Sequence, residues 1–460
     1  MDILFLGATS TITLCLVFIP RRIWGVLPHF TALLVILASI QFLLEGFYWQ
    51  HIPTYLLVFV LIMIAFVWKR TSKIPYKTFF RIALGILTLF SISPWTIFLP
   101  IPKLTKPEGY YKVGTRIFRW VDDDRAEQIT KDPADKRNVI VQAWYPAEPD
   151  TEGPHSSYLD GTDNLPAKIG VMPGFLFRHY DQIDTYGITD APMSKAHPQW
   201  PVVVFLTGYG GTRAVYTSLS VGLASYGYVV LTIDHPYEAA ITELANGKIA
   251  TTVEDFSKDN PNLMQFMKGR LNIRIADVRF VINQLGKQTQ SPDSFFSSLD
   301  QNRIATAGHS LGGASAAAAM AHDSRIKAAA NIDGTLYGEL PKSNGSRHFL
   351  LLESNKSERE RFVRYENGNQ LLFKQFGGGY RYEIAEADHY SFTDVPTFLA
   401  PPARFLAGRI LKFGQIHRNT HTVTASILNA FFDHALNGKA LNTDTVDSRY
   451  QGIMQKPTNR

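Results

Sequence analysis

The stretch Arg303-Ile-Ala-Thr-Ala-Gly-His-Ser-Leu-Gly-Gly-Ala-Ser315 predicts a short strand, a sharp turn and a helix. Ser310 lies in the turn, at the centre of a G-x-S-x-G pattern completed by Gly308 and Gly312. The two glycines allow strand and helix to approach closely around the serine, which leaves its hydroxyl exposed. Residues 313–321 are small, as in a tightly packed helix. The pattern predicts a nucleophilic serine, and a glycine-rich turn without chemistry is the alternative.

Apolar runs on both sides of this turn alternate with helical segments. Strands are predicted at 139–145, 201–206, 228–233, 326–332, 348–352 and 380–385, and helices at about 262–285 and 422–436. This alternation predicts an α/β fold, with a mostly parallel sheet and helices on both of its faces. Such sheets bind ligands at the carboxyl ends of their strands, where Ser310 lies. Residues 150–200 are expected to pack on the sheet or to form a cap over an acyl pocket, because their apolar residues have near-helical spacing.

A serine nucleophile needs a base, and the base needs a carboxylate to orient it. In α/β-hydrolases these residues follow one another as serine, acid and histidine. His389 lies in a loop after the last predicted strand and is the expected base, whereas His309, inside the pattern, is expected to pack or to support the catalytic residues. Two acids fit by position, because Asp333 and Glu353 each end a strand beyond Ser310. Spacing alone does not choose between them.

The same chemistry needs an oxyanion hole made of N–H groups. One is expected from Leu311, the residue after the nucleophile, and one from the Gly208-Tyr209-Gly210-Gly211 stretch, called the glycine loop below. Within that loop the N–H of Tyr209 is the expected donor, and a merely tight turn is the alternative. The chemistry needs no metal and no cofactor, and neither is expected.

Four uncharged stretches precede residue 102, at 3–19, 26–44, 52–68 and 82–101. Their lengths predict about four transmembrane helices, and no pairs of charges lie midway as in a transporter, so they are expected to be an anchor. A signal peptide at the start, or buried helices of a soluble domain, are alternatives. Arg and Lys in the first and third loops predict an extracytoplasmic C-terminal part. The expected domains are an anchor at 1–102, a catalytic domain at 103–440 and a polar tail at 441–460.

Composition excludes some partners. The 460 residues hold 46 Lys and Arg against 40 Asp and Glu, and no dense basic run with aromatics appears in the part after residue 102, so nucleic acid is not an expected partner. The single cysteine, Cys15, allows no disulfide within the chain and no cysteine-based metal site.

Several of these segments resemble the platelet-activating-factor acetylhydrolase family, which are serine-dependent phospholipases A2 of the α/β-hydrolase fold. Residues 201–213 are similar to the family's oxyanion strand and loop, and residues 223–230 to its next helix and strand. The elbow and the separations from Ser310 to Asp333 and to His389 are similar too. The resemblance implies that Asp333, not Glu353, is the acid. It also implies hydrolysis of short or oxidised acyl esters of phospholipids, although Thr207 stands where the family commonly has histidine.

Two other functions fit the same residues. A general carboxylesterase or polyester hydrolase of the dienelactone-hydrolase type would use the same serine, acid and base. A non-catalytic membrane protein could use the fold to bind a partner, although the complete set in the expected order argues against this. Residues 393–416 are apolar enough for a lid or a membrane-contacting helix, or for a helix packed on the sheet.

Overall fold

A computed structural model describes the chain except for residues 19–24, 72–76, 96–100, 160, 162–164, 170–171, 254–261, 289–292, 344, 356–361, 386, 412–419, 442–452 and 457–460. The chain forms two compact units. Unit 1 comprises Met1–Pro102, Phe175–His179 and Phe398–Ala403, and unit 2 comprises Lys103–Gly174, Tyr180–Thr397 and Arg404–Arg460.

The described part of unit 1 contains four α-helices before residue 102. They are α1 (Asp2–Phe18), α2 (Leu27–Glu45), α3 (Ile52–Thr71) and α4 (Lys77–Ser93). Their inward faces form one apolar cluster that includes Phe5, Leu34, Leu57, Leu61 and Leu84. Other large apolar side chains on these helices point outward and are exposed.

The prediction of four membrane spans is corrected by the lengths of these helices. Among the described residues, only Leu27–Glu45 and Trp49–Val67 are long and apolar enough to cross a membrane. The apolar helices Ile3–Phe18 and Thr78–Ser93 are shorter. At 1.5 Å per residue, 16 residues reach about 24 Å, which is less than the roughly 30 Å of a hydrocarbon core. Parts of the predicted first and fourth spans, and the basic residues 21, 22 and 73, lie outside the described residues.

Unit 2 is built on a large mixed sheet. The strands of unit 2, in chain order, are β1 (Lys112–Ala126), β2 (Lys136–Ala147), β3 (Lys168–Ile169), β4 (Met172–Pro173), β5 (Gly187–Thr189), β6 (Trp200–Leu206), β7 (Val229–Asp234), β8 (Ile241–Glu243), β9 (Ile249–Thr251), β10 (Leu299–His309), β11 (Ile326–Ile332), β12 (His348–Glu353), β13 (Tyr380–Ile384) and β14 (Ile453–Gln455). Among the described residues ten of them pair in the order β14-β13-β12-β11-β10-β6-β7-β2-β1-β5. The six neighbours from β7 through β6 and β10 to β13 are parallel, and β2 and β14 are antiparallel to this block. The predicted mostly parallel sheet is confirmed.

Helices cover this sheet. Those of unit 2 are α5 (Thr217–Ser225), α6 (Leu263–Gln288), α7 (Ser294–Ser297), α8 (Leu311–His322), α9 (Phe362–Phe376), α11 (Thr420–Asn437) and most of α10 (Pro401–Leu411). Because side chains alternate along a strand, β6 serves two layers. Val202, Val204 and Leu206 share a core cluster with α6 and α8, and the ring of Phe205 instead contacts Tyr216, next to α5. The core strands are therefore buried on both faces.

Three stretches contain elements that the sequence did not predict. The apolar residues between 165 and 177 form no α-helix where they are described; the short strands β3 and β4 and a 3-10 helix (Gly174–Gln182) lie there instead. The polar residues before 126 include β1, in which Asp122 is buried and pairs with Arg125. The neighbouring Asp123 and Asp124 are exposed, so this run of charges is only partly buried. In the expected polar tail, Ile453–Gln455 forms β14.

Candidate active site

Ser310 occupies a strained turn between β10 and α8. Its backbone has φ 58° and ψ −128°, a conformation that residues with a side chain rarely adopt. The turn is as tight as the glycines predict: a Cβ on Gly308 would lie 2.5 Å from the carbonyl of Gly312. A Cβ on Gly312 would collide with the carbonyl of Leu206 on β6. The turn presents the serine hydroxyl at the carboxyl end of β10.

His389 lies against this hydroxyl. Its Nε2 is 3.0 Å from Ser310 Oγ, which can donate its proton to that nitrogen. The histidine begins a 3-10 helix (His389–Phe392) whose start is fixed by Asp388. The Asp388 carboxylate accepts from the N–H groups of Tyr390 and Ser391, and the Ser391 hydroxyl accepts from the Asp388 N–H. This reciprocal cap orients the imidazole.

Asp333 holds the other nitrogen of the same ring. Its Oδ2 is 2.7 Å from His389 Nδ1, which donates. The carboxylate also accepts from Ser354, from the N–H at 3.0 Å and from the hydroxyl at 2.8 Å. Burial alone would raise the pKa of Asp333, but the hydrogen bond and charge of His389, with the bonds from Ser354, hold that pKa below its ordinary value. The carboxylate is therefore ionised and fully bonded.

The turn that carries Asp333 is also strained, with φ 52° at Asp333. Asn331, at the end of β11, accepts from the N–H of Gly334 and donates to its carbonyl, both at 3.0 Å. A Cβ on Gly334 would collide with the carbonyl of Ser310. The acid turn and the serine turn are thus packed directly on one another.

Glu353 is placed elsewhere in this arrangement. Its carboxylate is fully buried and accepts two hydrogen bonds from Arg381, at 2.8 Å and 3.0 Å. Arg381 also binds Glu366. The structure therefore brings Ser310, His389 and Asp333 together and gives Glu353 a structural ion pair.

The glycine loop lies beside the serine. A Cβ on Gly208 would lie at contact distance, 3.4 Å, from the Cβ of Ser310, and only 2.9 Å from the Tyr216 hydroxyl oxygen, so a larger residue would displace that hydroxyl. Leu311 begins α8, and N–H groups in the first turn of a helix have no acceptor within it. The Tyr209 ring packs edge-to-face on Phe266, with centroids 5.8 Å apart. Both expected oxyanion donors, Tyr209 and Leu311, therefore lie in segments next to Ser310.

Buried ion pairs hold the two ends of the glycine loop. Arg274, fully buried in α6, donates to the carbonyl of Thr207 and binds Glu238 Oε2 at 3.0 Å and 2.8 Å. Arg213, just after the loop, pairs with Asp234 at the end of β7. In the described residues, no three His, Cys, Asp or Glu side chains converge as metal ligands would.

Three residues next to the site were not predicted from the sequence. Ser354 binds the acid, and Tyr216 links the glycine loop to His309 through its hydroxyl. Arg274 fixes the start of the loop. No local motif marks Tyr216 or Arg274, because each meets its partner only through the fold. Only Ser354 could have been suspected from the sequence, because it directly follows a strand end, where ligand-binding residues of such sheets lie.

The chain is similar to known esterases. Residues 98–359, more than half of the chain, match the family described as platelet-activating factor acetylhydrolase, isoform II. A probable 1-alkyl-2-acetylglycerophosphocholine esterase of Arthroderma benhamiae is 37% identical over 139 residues, which are 30% of this chain and 32% of that protein. The platelet-activating factor acetylhydrolase of Canis lupus familiaris is 21% identical over 248 residues, which are 45% of this chain and 53% of that protein. The chain thus spans about a third to a half of these relatives.

A solved structure is also similar. The ferulic acid esterase from Streptomyces cinnamoneus aligns with a TM-score of 0.63 and 28% sequence identity. The alignment covers 78% of this chain and 100% of that one. This agrees with the α/β-hydrolase fold that the sequence predicted.

Proposed function

Because the chain belongs to the platelet-activating factor acetylhydrolase isoform II family, a family of ester hydrolases, we propose that it is a serine esterase with Ser310 as nucleophile. The observation that carries the proposal is the hydrogen-bonded chain from Ser310 Oγ to His389 Nε2, at 3.0 Å, and from His389 Nδ1 to Asp333 Oδ2, at 2.7 Å. Nucleophile, base and orienting carboxylate have the separations that acyl transfer requires.

The proposed reaction has two halves. Ser310 Oγ attacks the ester carbonyl while His389 Nε2 takes the serine proton, and Asp333 stabilises the resulting imidazolium without being protonated. His389 then gives that proton to the leaving alcohol, and an acyl-enzyme remains. In the second half His389 deprotonates a water molecule, which attacks the acyl carbon. His389 then returns that proton to Ser310 Oγ as the acid leaves.

The oxyanion formed in each half needs donors. We assign this role to the N–H groups of Leu311 and Tyr209. The approach of Gly208 to Ser310 and the position of Leu311 at the start of α8 support the assignment. One such donor typically contributes about 3–4 kcal/mol to the transition state.

The proposed substrates are phospholipid-like esters with a short or oxidised acyl chain. Family membership and the names of the curated relatives support this class. A second candidate is a broader carboxylesterase, which the similarity to a ferulic acid esterase over the whole of that chain favours. A panel of phospholipids that differ only in acyl length, compared with aryl esters, distinguishes the two. Preference for the aryl esters would favour the second.

We also propose that the N-terminal helices anchor the enzyme in a membrane, with the catalytic domain at 103–440. The two long apolar helices support this. The expected extracytoplasmic location of unit 2 depends on all four helices crossing the membrane. With only two spans, the basic residues 21–22 and 69–70 flank them on one side, which would place unit 2 in the cytoplasm. A reporter fused after residue 440 distinguishes these arrangements.

The test of the nucleophile is Ser310→Ala in the full chain in detergent micelles. Hydrolysis of p-nitrophenyl acetate and butyrate, and labelling by a fluorophosphonate probe, are both expected to be lost. Ser315→Ala is the matched control, because Ser315 lies in α8 and donates only to the Leu311 carbonyl. Turnover by Ser310→Ala close to that of the control would refute the assignment.

A further inference from the structure

Tyr216 lies between the glycine loop and the serine turn, at the end of a 3-10 helix (Arg213–Tyr216). Its side chain is buried, and its hydroxyl oxygen is 2.9 Å from Gly208 N and 2.9 Å from His309 Nδ1. A backbone N–H can only donate, so the tyrosine oxygen accepts from Gly208. The hydroxyl proton then goes to the remaining partner, His309 Nδ1. Burial raises the pKa of Tyr216, which keeps that proton in place.

His309 receives this bond as a neutral ring. Because Nδ1 accepts, the ring proton of the neutral form is on Nε2. Burial, followed by the charge of His389, lowers the pKa of His309 to about 3. The ring is almost fully buried, and its centroid is 4.5 Å from that of His389. The neighbour of the proposed base is therefore an uncharged ring with a fixed tautomer.

These contacts connect the segment that carries the proposed oxyanion donor with the proposed base. Gly208 precedes Tyr209, whose N–H is the proposed oxyanion donor, so fixing the Gly208 peptide also restricts the next one. On the other side, His389 becomes a cation in each half-reaction, and a neutral His309 imposes no charge repulsion on it. A buried bond at one tyrosine hydroxyl thus supports both the donor and the base.

We propose that Tyr216 and His309 are positioning residues that hold the glycine loop and His389 in one fixed arrangement. This role rests on the function proposed above. Neither side chain reaches the reacting atoms in this scheme. Their effect is expected in the rate of the chemical step and not in substrate binding, because oxyanion and imidazolium exist only after the attack begins.

The experiment is a double-mutant cycle in the full chain, with Tyr216→Phe, His309→Phe and the double variant, measured on p-nitrophenyl acetate. Each single variant is expected to lower kcat roughly 10- to 100-fold while KM changes less than about twofold. The double variant is expected to have about the same kcat as the less active of the two single variants, because both changes break the same connection. Tyr228→Phe is the matched control: Tyr228 is equally buried, but its hydroxyl contacts Asp433 and Asn429.

Three outcomes would overturn the proposal: a wild-type kcat in either single variant, losses that multiply in the double variant, or a change confined to KM. If Tyr216→Phe does not fold, His309→Phe carries the test alone, since wild-type kcat in that variant is sufficient to refute the connection. The result also separates the two proposals. Turnover by Ser310→Ala refutes the serine esterase, whereas an inactive Ser310→Ala with a fully active Tyr216→Phe refutes only the positioning role.

Discussion

Ser354 donates two hydrogen bonds to the carboxylate of Asp333, from its N–H to Oδ1 at 3.0 Å and from its hydroxyl to Oδ2 at 2.8 Å. His389 Nδ1 shares that second oxygen at 2.7 Å. Ser354 therefore holds both carboxylate oxygens of Asp333, independently of the contact with His389. Since Ser354 directly follows β12, the neighbouring strand positions the acid that ends β11.

Ser354→Ala is expected to remove the hydroxyl bond and leave the N–H bond intact. A hydrogen bond to the charged form lowers a carboxylate pKa, so its loss raises the pKa of Asp333. We expect a fall in kcat/KM of roughly 3- to 10-fold, about 1 kcal/mol, because the N–H bond still holds the carboxylate. An unchanged kcat/KM would show that the hydroxyl does not position the acid.

Asp333→Asn and Glu353→Gln are expected to affect different properties. The first removes the charge that stabilises the imidazolium and should lower kcat about 10⁴-fold. The second weakens a buried ion pair with Arg381 and should lower the free energy of unfolding by roughly 2–3 kcal/mol, because Glu366 remains. Steady-state kinetics and thermal unfolding of both variants make the comparison. The reverse pattern in kcat would assign the acid to Glu353.

Gly308→Ala is expected to disrupt the serine turn. The new Cβ would lie 2.5 Å from the Gly312 carbonyl and 2.7 Å from that of Leu206, all of which are backbone atoms. Overpacking of this kind costs about 1–3 kcal/mol or more, and the serine should be displaced. Gly269→Ala in α6 is the control: nothing lies within 4 Å, so it should stabilise by roughly 0.5–1 kcal/mol. Thermal unfolding and esterase assays measure both, and normal activity in Gly308→Ala would contradict the close approach.

Acid is expected to destabilise unit 2 through two buried histidines. Burial, followed by the charge of Arg274, lowers the pKa of His235 to about 4, and burial lowers that of His309 to about 3. An unfolded histidine has a pKa of about 6.5, so below that pH the unfolded chain binds more protons than the folded one. Their stabilising contribution is thus fully present above about pH 6.5, and each loses up to about 1.4 kcal/mol per pH unit as pH falls toward its folded pKa.

The check is the free energy of unfolding at several values between pH 7 and pH 5, compared with that of His309→Gln. The variant should show a shallower decrease with falling pH, because it removes one of the two groups. A pH dependence equal to that of the unchanged chain would mean that His309 is protonated in the folded state.

The full chain is expected to stay in the membrane fraction after an alkaline carbonate wash. Two helices of 19 residues each bury enough apolar surface for stable insertion, whereas an interfacial helix would be released. Leu34→Arg, at a buried position near the middle of α2, should weaken retention, since a central arginine costs about 2.5–3.5 kcal/mol on insertion scales. Complete release of the unchanged chain would exclude the anchor.

Several core elements match their predictions closely. The strand predicted at 326–332 is β11, and the helix predicted at 422–436 is α11 (Thr420–Asn437). A core strand such as β11 can be predicted from its sequence, because a strand buried on both faces is a nearly continuous apolar run. The elements that were not predicted, β1 and the short strands between 165 and 177, lie where strand pairing overrides local composition.

The sequence by itself determined the serine turn, because the demands of that turn are local: a strained φ at Ser310 and no side chain at Gly308 and Gly312. Chain order, together with a position in the loop after the last predicted strand, also made His389 the expected base. Spacing alone left two candidate acids and the resemblance implied Asp333; the tertiary structure places Asp333, and not Glu353, against His389. Asp333 and Glu353 both end strands, but Arg381, 28 residues beyond Glu353, neutralises one of them, and Ser354 turns the other toward His389. The link from Tyr216 to His309 spans 93 residues, and no local pattern encodes such a contact.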